Sequence, residues 1–90
     1  MKVKLSKKFS KQYDKADQKV QSLFDKKLAT FLQNPFHPLL NNHALTGRFS
    51  GCGSINITGD WRAIFQEDLD REGNQVIIFL LLGTHSQLYK

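Results

Sequence analysis

The chain has 90 residues, 40% of them hydrophobic, which is enough for one compact core and too little for two. Its formal net charge of +5 favours an anionic partner such as a nucleic acid. The longest apolar run, Val76 to Leu82, has seven residues, far below the roughly 20 that a membrane-spanning helix needs. We therefore expect one domain over residues 1–90 and no membrane-spanning segment.

The basic residues are concentrated in the first part of the chain. Nine lysines stand against three aspartates within residues 1–27, a balance of +6, whereas residues 28–90 carry four basic and five acidic side chains. The pattern predicts a basic surface on the N-terminal helices. Such a surface is either a solvated face or a contact for phosphates, because lysine by itself reads no nucleotide sequence.

Cysteine and histidine usage limits the chemistry. Cys52 is the only cysteine, which excludes an intramolecular disulfide, and the first nine residues lack the apolar stretch of a secretory signal. Both features favour a reducing cytosol, so we expect a cytoplasmic protein. His37, His43, His85 and Cys52 show none of the close ligand spacings of zinc sites, so neither a metal nor another cofactor is expected. Cys52 lies between two glycines without a recognisable partner histidine and is expected to be a small strand residue rather than a nucleophile.

The first part of the chain has the pattern strand, helix, helix. Residues 3–5 alternate as a short strand does, and Ser6 is then a good N-cap for a helix that carries Phe9 and Tyr13 on one face. Asp17 is a second candidate N-cap. After it, apolar residues recur at helical spacing and predict a buried stripe. The stripe contains Val20, Leu23, Phe24, Leu28, Phe31 and Leu32.

After a proline-containing stretch over residues 34–42, short segments separated by glycines predict strands and turns. Residues 54–58 alternate strictly, which turns Ile55 and Ile57 toward a core and the three polar residues of the segment to the other face. Gly59 and Asp60 then lead into a strand over residues 61–66. A polar loop over residues 67–74 precedes residues 76–82, whose uniform apolarity is typical of a central strand. The sum is an α+β fold, with two helices on a curved, mostly antiparallel sheet of four to five strands.

Three short polar segments carry a more specific signal. These are NHALTG at residues 42–47, SINITGDWRAIF at residues 54–65 and GTHSQLY at residues 83–89. Together, and in this order, they resemble the RelE/ParE-type toxins, nearest to the YafQ-like branch. The resemblance implies a toxin of a type II toxin–antitoxin system. It further implies a ribosome-dependent, metal-independent mRNA endoribonuclease, held silent by a cognate antitoxin. No sequence feature demands a dimer, so the free toxin is expected to be monomeric.

The resemblance also implies an active site. RNA supplies its own nucleophile, the 2′-hydroxyl, so such an enzyme has to remove that proton, stabilise the phosphorane charge and protonate the leaving 5′-oxygen. His85 matches the histidine of the G-T-H motif and is the candidate general acid. His43 and Asp60 match positions associated with proton transfer and ordering of the site, and either one can be the base. Arg62 is the candidate phosphate ligand, and Tyr89 orients the 2′-hydroxyl or stacks on a base.

Three further residues are candidate RNA contacts: Trp61 by stacking, Asn56 by hydrogen bonding and Arg48 by its charge. Strand alternation places Trp61 and Arg62 on opposite faces, so only one of the two is expected to meet RNA unless a bulge intervenes. The chain departs from YafQ-like relatives at two places. Asn56 stands where they carry a histidine, and residues 80–82 are leucines where they carry an arginine.

The two departures leave other functions open. One is a non-enzymatic protein, either a ParE-like gyrase inhibitor or a toxin fold that only binds its antitoxin. Another is a general basic RNA-binding domain, which predicts salt-sensitive binding to free RNA. The paired histidines favour the enzyme, because gyrase inhibition requires no proton-transfer groups.

Overall fold

A computed structural model describes residues 1–89. It contains three helices, five strands and two short 3₁₀ turns, Pro38–Leu40 and Gly47–Phe49. The helices are α1 (Lys7–Lys15), α2 (Gln18–Gln33) and α3 (His85–Leu88). The strands are β1 (Lys2–Leu5), β2 (His43–Ala44), β3 (Cys52–Asn56), β4 (Trp61–Leu69) and β5 (Gln75–Thr84). The predicted α+β class is confirmed, and no helix within the described range has the length and apolarity of a membrane-crossing segment.

The five strands form one sheet in the order β1-β5-β4-β3-β2. β1 runs parallel to β5, and the other neighbouring pairs are antiparallel. β5 is therefore central, as its apolar sequence predicts. The register between β4 and β5 shifts at one point: Ile64 pairs with Leu81 and Phe65 with Phe79, so Leu80 is an extra, bulged residue.

Both predicted N-caps are present. The Ser6 hydroxyl accepts a hydrogen bond from the Phe9 amide (3.0 Å) and donates one to the Leu80 carbonyl of β5 (2.9 Å). The Asp17 carboxylate accepts a hydrogen bond from the Val20 amide (2.9 Å). Each cap satisfies a backbone donor that the first turn of a helix leaves free. Ser6 also joins the start of α1 to the central strand.

The core lies between the helices and one face of the sheet, and phenylalanines fill its centre. Phe9 and Phe24 from the helices meet Phe79 from β5, with ring centroids 5.0–5.8 Å apart. Phe31 contacts Phe79 and Phe65 in edge-to-face arrangements. A Cβ atom at Gly53 would lie 2.5 Å from the Phe65 ring, so only glycine lets β3 pass beneath that ring.

Three sequence predictions differ from the structure. Leu32 lies outside the buried stripe, with 49% of its surface exposed. The strand predicted over residues 54–58 ends at Asn56, because the Ile57 and Thr58 amides both donate to the Trp61 carbonyl and close a turn. The polar loop predicted from residue 67 begins later, since β4 continues to Leu69. Ser54 lies on the face opposite Ile55, as predicted, and is fully buried there.

We expect Ser6→Ala to lower the free energy of unfolding by about 1–2 kcal/mol, because it removes both the helix cap and the bond to β5. Urea denaturation followed by circular dichroism measures this change. Ser22→Ala, an exposed site inside α2, is the matched control and should change stability by less than about 0.5 kcal/mol. An equal loss of unfolding free energy in the two variants would contradict the stabilising role of the Ser6 cap.

The connection between β4 and β5 is organised by one carboxylate. Asp70 Oδ1 accepts hydrogen bonds from the Glu72 and Asn74 amides, both 2.9 Å, and Oδ2 lies 3.5 Å from Lys2 Nζ of β1. The hydrogen bond from the Asn74 amide is the main cause that lowers the pKa of Asp70 below its ordinary value of 3.8. The ionised carboxylate therefore holds the turn.

This lowered pKa predicts a pH-dependent contribution to folding. Because the pKa is lower in the folded protein than in the unfolded chain, the contribution is complete above pH 3.8. It is lost as the pH falls through the folded-state value. The melting temperature of Asp70→Asn should therefore lie below that of the wild type at pH 7, and the gap should narrow below pH 3.8. A gap that stays constant in acid would rule out the ionised carboxylate as its cause.

Candidate active site

A cleft of about 410 Å³ lies where the loop around β2, the end of β3, the start of β4 and α3 come together. Asn56 and Arg62 enter it from the sheet face opposite the phenylalanine core, because Ile55 and Ala63 beside them face that core. His85 and Tyr89 enter from the C-terminal segment. Its lining consists of Asn41, His43, Leu45, Thr46, Asn56, Arg62, His85 and Tyr89.

Arg62 is held in place by the turn between β3 and β4. Its Nη1 atom donates to the carbonyls of Thr58 (3.0 Å), Gly59 (3.0 Å) and Trp61 (3.1 Å). Lys2 and Asp70 form the sole ion pair found in residues 1–89, so no carboxylate neutralises the Arg62 charge. The result is a fixed positive charge in the cleft wall. Such a group binds a phosphate without first leaving an acidic partner.

His43 has one ring nitrogen fixed by the backbone. Its Nδ1 atom lies 2.7 Å from the Asn41 carbonyl. Because a carbonyl oxygen only accepts, Nδ1 carries the hydrogen in this contact. Asn41 adopts the left-handed conformation (φ 48°), which asparagine tolerates better than most residues and which closes the 3₁₀ turn before β2. In the neutral ring, Nε2 is therefore the nitrogen with the free lone pair, and it can take a proton.

His85 and Tyr89 form one unit at the end of the chain. Their ring centroids are 4.7 Å apart, and the Tyr89 amide donates to the His85 carbonyl (3.0 Å). A capping box between Thr84 and Gln87 fixes the start of α3, an element that the sequence analysis did not predict. The buried Leu88 anchors the helix. The His85 ring thus lies at the start of a short helix that is fixed at both ends.

Asp60 is close to this unit but contributes through its backbone. The Asp60 carbonyl accepts a hydrogen bond from the His85 amide (3.0 Å). Its exposed side chain is not part of the cleft lining. Between the two candidate bases, the cleft contains His43 and leaves the Asp60 carboxylate outside.

Two other candidate residues lie outside the cleft. Trp61 is half-buried against the phenylalanine core and borders a different depression with Gln12, Lys15 and Leu88. Trp61 and Arg62 thus face opposite sides of the sheet, as strand alternation predicts. The Arg48 guanidinium donates to the Leu88 carbonyl (2.7 Å) and lies 4.9 Å from the centre of the Phe49 ring.

Three of the cleft residues were not identified as candidates from the sequence. Asn41, Leu45 and Thr46 line it, and their only signal was their nearness to His43, with Leu45 and Thr46 inside the first motif and Asn41 just before it. The Oδ1 atom of Asn56 is buried and has no hydrogen-bond partner among the described residues. Cys52 is half-buried and borders a separate cleft of about 330 Å³ together with Phe36 and Phe65. Within residues 1–89, no three His, Cys, Asp or Glu side chains are grouped to hold a metal.

The fold is that of small bacterial toxins. It is similar to the YoeB/ParE toxin from Agrobacterium tumefaciens, with a TM-score of 0.77 at 18% identity over 94% of this chain and 99% of that chain. YafQ from E. coli strain BL21(DE3) gives a TM-score of 0.67 at 24% identity over 98% and 97%. A chain of the E. coli DinJ–YafQ toxin–antitoxin complex gives 0.62 at 25% identity over 98% and 96%.

The family follows from the sequence itself. The profile of YafQ, the bacterial toxin of type II toxin–antitoxin systems, matches residues 1–90. The chain therefore belongs to the YafQ toxin family. The resemblance inferred from the three motifs is confirmed. No curated protein sequence matches the chain at a significant level.

The contacts of Arg48 predict a structural effect. Arg48→Ala should lower the free energy of unfolding by about 0.5–1 kcal/mol, because it removes an exposed charged donor from the Leu88 carbonyl and a cation from the Phe49 ring. Urea denaturation measures this loss. Arg71→Ala, on an exposed turn, is the matched control and should have almost no effect. An unchanged stability of Arg48→Ala would leave RNA contact as the remaining prediction for this residue.

Proposed function

We propose that this toxin is a ribosome-dependent endoribonuclease that cleaves mRNA without a metal. One observation carries the proposal: two histidines and an arginine without an acidic partner, contributed by separate segments of the chain, line the same cleft. An acid, a base and a fixed cation are the three groups that attack by a 2′-hydroxyl requires.

His43 is the general base of the proposed reaction. Its Nε2 atom accepts the proton of the 2′-hydroxyl, while Nδ1 stays bound to the Asn41 carbonyl. The 2′-oxygen attacks the neighbouring phosphorus, and the bond between phosphorus and the 5′-oxygen breaks. Protonated His85 gives its proton to that leaving oxygen. The products are a 2′,3′-cyclic phosphate and a 5′-hydroxyl, with one proton taken up by His43 and one released by His85.

Arg62 stabilises the phosphorane in this scheme. The charge on the non-bridging oxygens grows during attack, and a guanidinium fixed beforehand needs no rearrangement to meet it. The turn carbonyls that hold Nη1 supply this fixation. Tyr89 stacks on the His85 ring and keeps the acid in one orientation.

The lysines of α1 are the proposed steering surface. Lys7, Lys11 and Lys15 are exposed and follow one another at intervals of four residues, so they lie along one side of the helix. A row of positive charges raises the association rate with the ribosome, whose surface is rich in phosphates. The row carries no sequence preference of its own.

The partner that silences the toxin is proposed to be a cognate antitoxin protein. The chain belongs to a family of type II toxin–antitoxin toxins, and its E. coli relative has been solved as a DinJ–YafQ toxin–antitoxin complex. An antitoxin that covers the cleft would exclude RNA from His43 and His85.

A second candidate function is non-enzymatic inhibition, as by a ParE-like gyrase poison. It is favoured by the composition of the cleft, where Arg62 is the single Arg or Lys among the lining residues that the structure describes. The leucines at positions 80–82 add no charge to it. The same experiment separates the two functions.

The test is primer extension on a reporter mRNA after the toxin is induced in bacterial cells. We expect cuts inside translated codons with the wild type, and at least a hundredfold fewer with His85→Ala or His43→Ala, because each removes a proton-transfer group. Arg62→Ala should lose cleavage to a similar degree. His37→Ala, a histidine outside the cleft, is the matched control and should keep the cuts.

The outcomes distinguish the candidates. Growth arrest without cuts in the message would refute the ribonuclease and leave gyrase inhibition as the explanation. Neither arrest nor cuts would point to a protein that only binds its antitoxin. Cuts that persist in His43→Ala but not in His85→Ala would show that another group is the base.

A further inference from the structure

Asn56 lines the cleft and carries a buried acceptor that residues 1–89 leave unused. Its Oδ1 atom is buried and receives no hydrogen bond from residues 1–89, although the residue lines the cleft. A buried acceptor without a donor is unfavourable, so native proteins seldom keep one unless a ligand or water completes it. The second such atom, Ser54 Oγ, belongs to a fully buried residue outside the cleft lining. Of these two oxygens, only the Asn56 oxygen belongs to a residue that lines the cleft.

The position of Asn56 identifies which ligand group it meets. Asn56 and Arg62 are direct cross-strand partners of β3 and β4, so their Cβ atoms are about 4.5–5.5 Å apart on the same sheet face. If Arg62 holds the scissile phosphate, the donor that reaches Asn56 has to lie next to that phosphate. In RNA the 2′-hydroxyl is carried on the carbon beside the one that bears the 3′-phosphate. The donors of the base are farther from the phosphorus.

We propose that the Asn56 side-chain oxygen accepts a hydrogen bond from the nucleophilic 2′-hydroxyl and holds it in place until the proton passes to His43. This inference rests on the proposed ribonuclease function and assigns the group that recognises ribose in the same cleft. Asn56 itself exchanges no proton. Its contribution is to orient the 2′-oxygen toward phosphorus and to select ribose over 2′-deoxyribose at the cleaved nucleotide.

The test measures binding rather than cleavage. All proteins carry His85→Ala, so that the message stays intact during the measurement. The ligand is a ribosome programmed with a short mRNA that has either a 2′-hydroxyl or a 2′-fluoro group at the cleaved nucleotide. The fluoro group keeps the sugar conformation of RNA but donates no hydrogen bond. The dissociation constant is measured for Asn56 and for the variants Asn56→Ala and Asn56→Asp.

With Asn56 present, we expect the 2′-hydroxyl message to bind about fivefold more tightly than the 2′-fluoro message, as for one net hydrogen bond. With Asn56→Ala, the two messages should bind equally. Asn56→Asp keeps the acceptor and should keep the preference, although its charge weakens binding to both messages. Ser86→Ala, at an exposed residue of α3 outside the cleft lining, is the control and should retain the fivefold ratio.

Two results would overturn the proposal. An equal affinity for both messages with Asn56 present would show that no donor reaches its oxygen. A preference that survives in Asn56→Ala, with the variant shown to be folded by its thermal unfolding transition, would assign the 2′-hydroxyl to another group. In both cases cleavage by the wild-type toxin would still support the ribonuclease function. Failure of the Asn56 proposal can therefore be distinguished from failure of the proposed function. A toxin that cuts no message would overturn both.

Discussion

The bulge at Leu80 is the constraint on which the rest of the molecule depends. In a regular strand, Phe79 and Leu82 would lie on opposite faces, because they are three residues apart. Both are buried in the same core, and the register shift opposite Ile64 and Phe65 makes this possible. The extra residue also turns the Leu80 carbonyl to the Ser6 hydroxyl, which starts α1. One irregularity thus fills the core and attaches the first helix to the central strand.

The same pairing of strands positions the cleft. β4 gives Ala63 and Phe65 to the core and Arg62 to the opposite face, so core packing determines where the arginine charge is found. The turn before β4 then completes the arrangement, because its carbonyls hold Arg62 and the Asp60 carbonyl holds the His85 amide. A change in the β3–β4 register would therefore displace Arg62 and His85 together.

Local chemistry explains which parts of the fold could be predicted. Ser6 and Asp17 act over three residues of sequence, so their roles as N-caps are visible in the chain. The bulge could not be predicted, because every residue from Val76 to Leu82 is apolar and no alternation marks its phase. The burial of Ser54 could not be predicted either, because alternation shows the face on which a side chain lies but not what covers that face. For the site, the motifs named His43, Arg62, His85 and Tyr89 as candidates. Asn41, Leu45 and Thr46 are near His43 in the sequence, but only the folded chain shows that they line the same cleft.

The two histidines of the cleft are held in different ways, and the difference supports their separate assignments. His43 is fixed through Nδ1 by a backbone carbonyl, which determines the nitrogen that is free to accept a proton. His85 is held by contact of its ring with the Tyr89 ring and by the hydrogen bond from its amide to the Asp60 carbonyl. A carboxylate in the cleft would compete with the scissile phosphate for Arg62. The Asp60 side chain lies outside the lining, so it does not compete for Arg62.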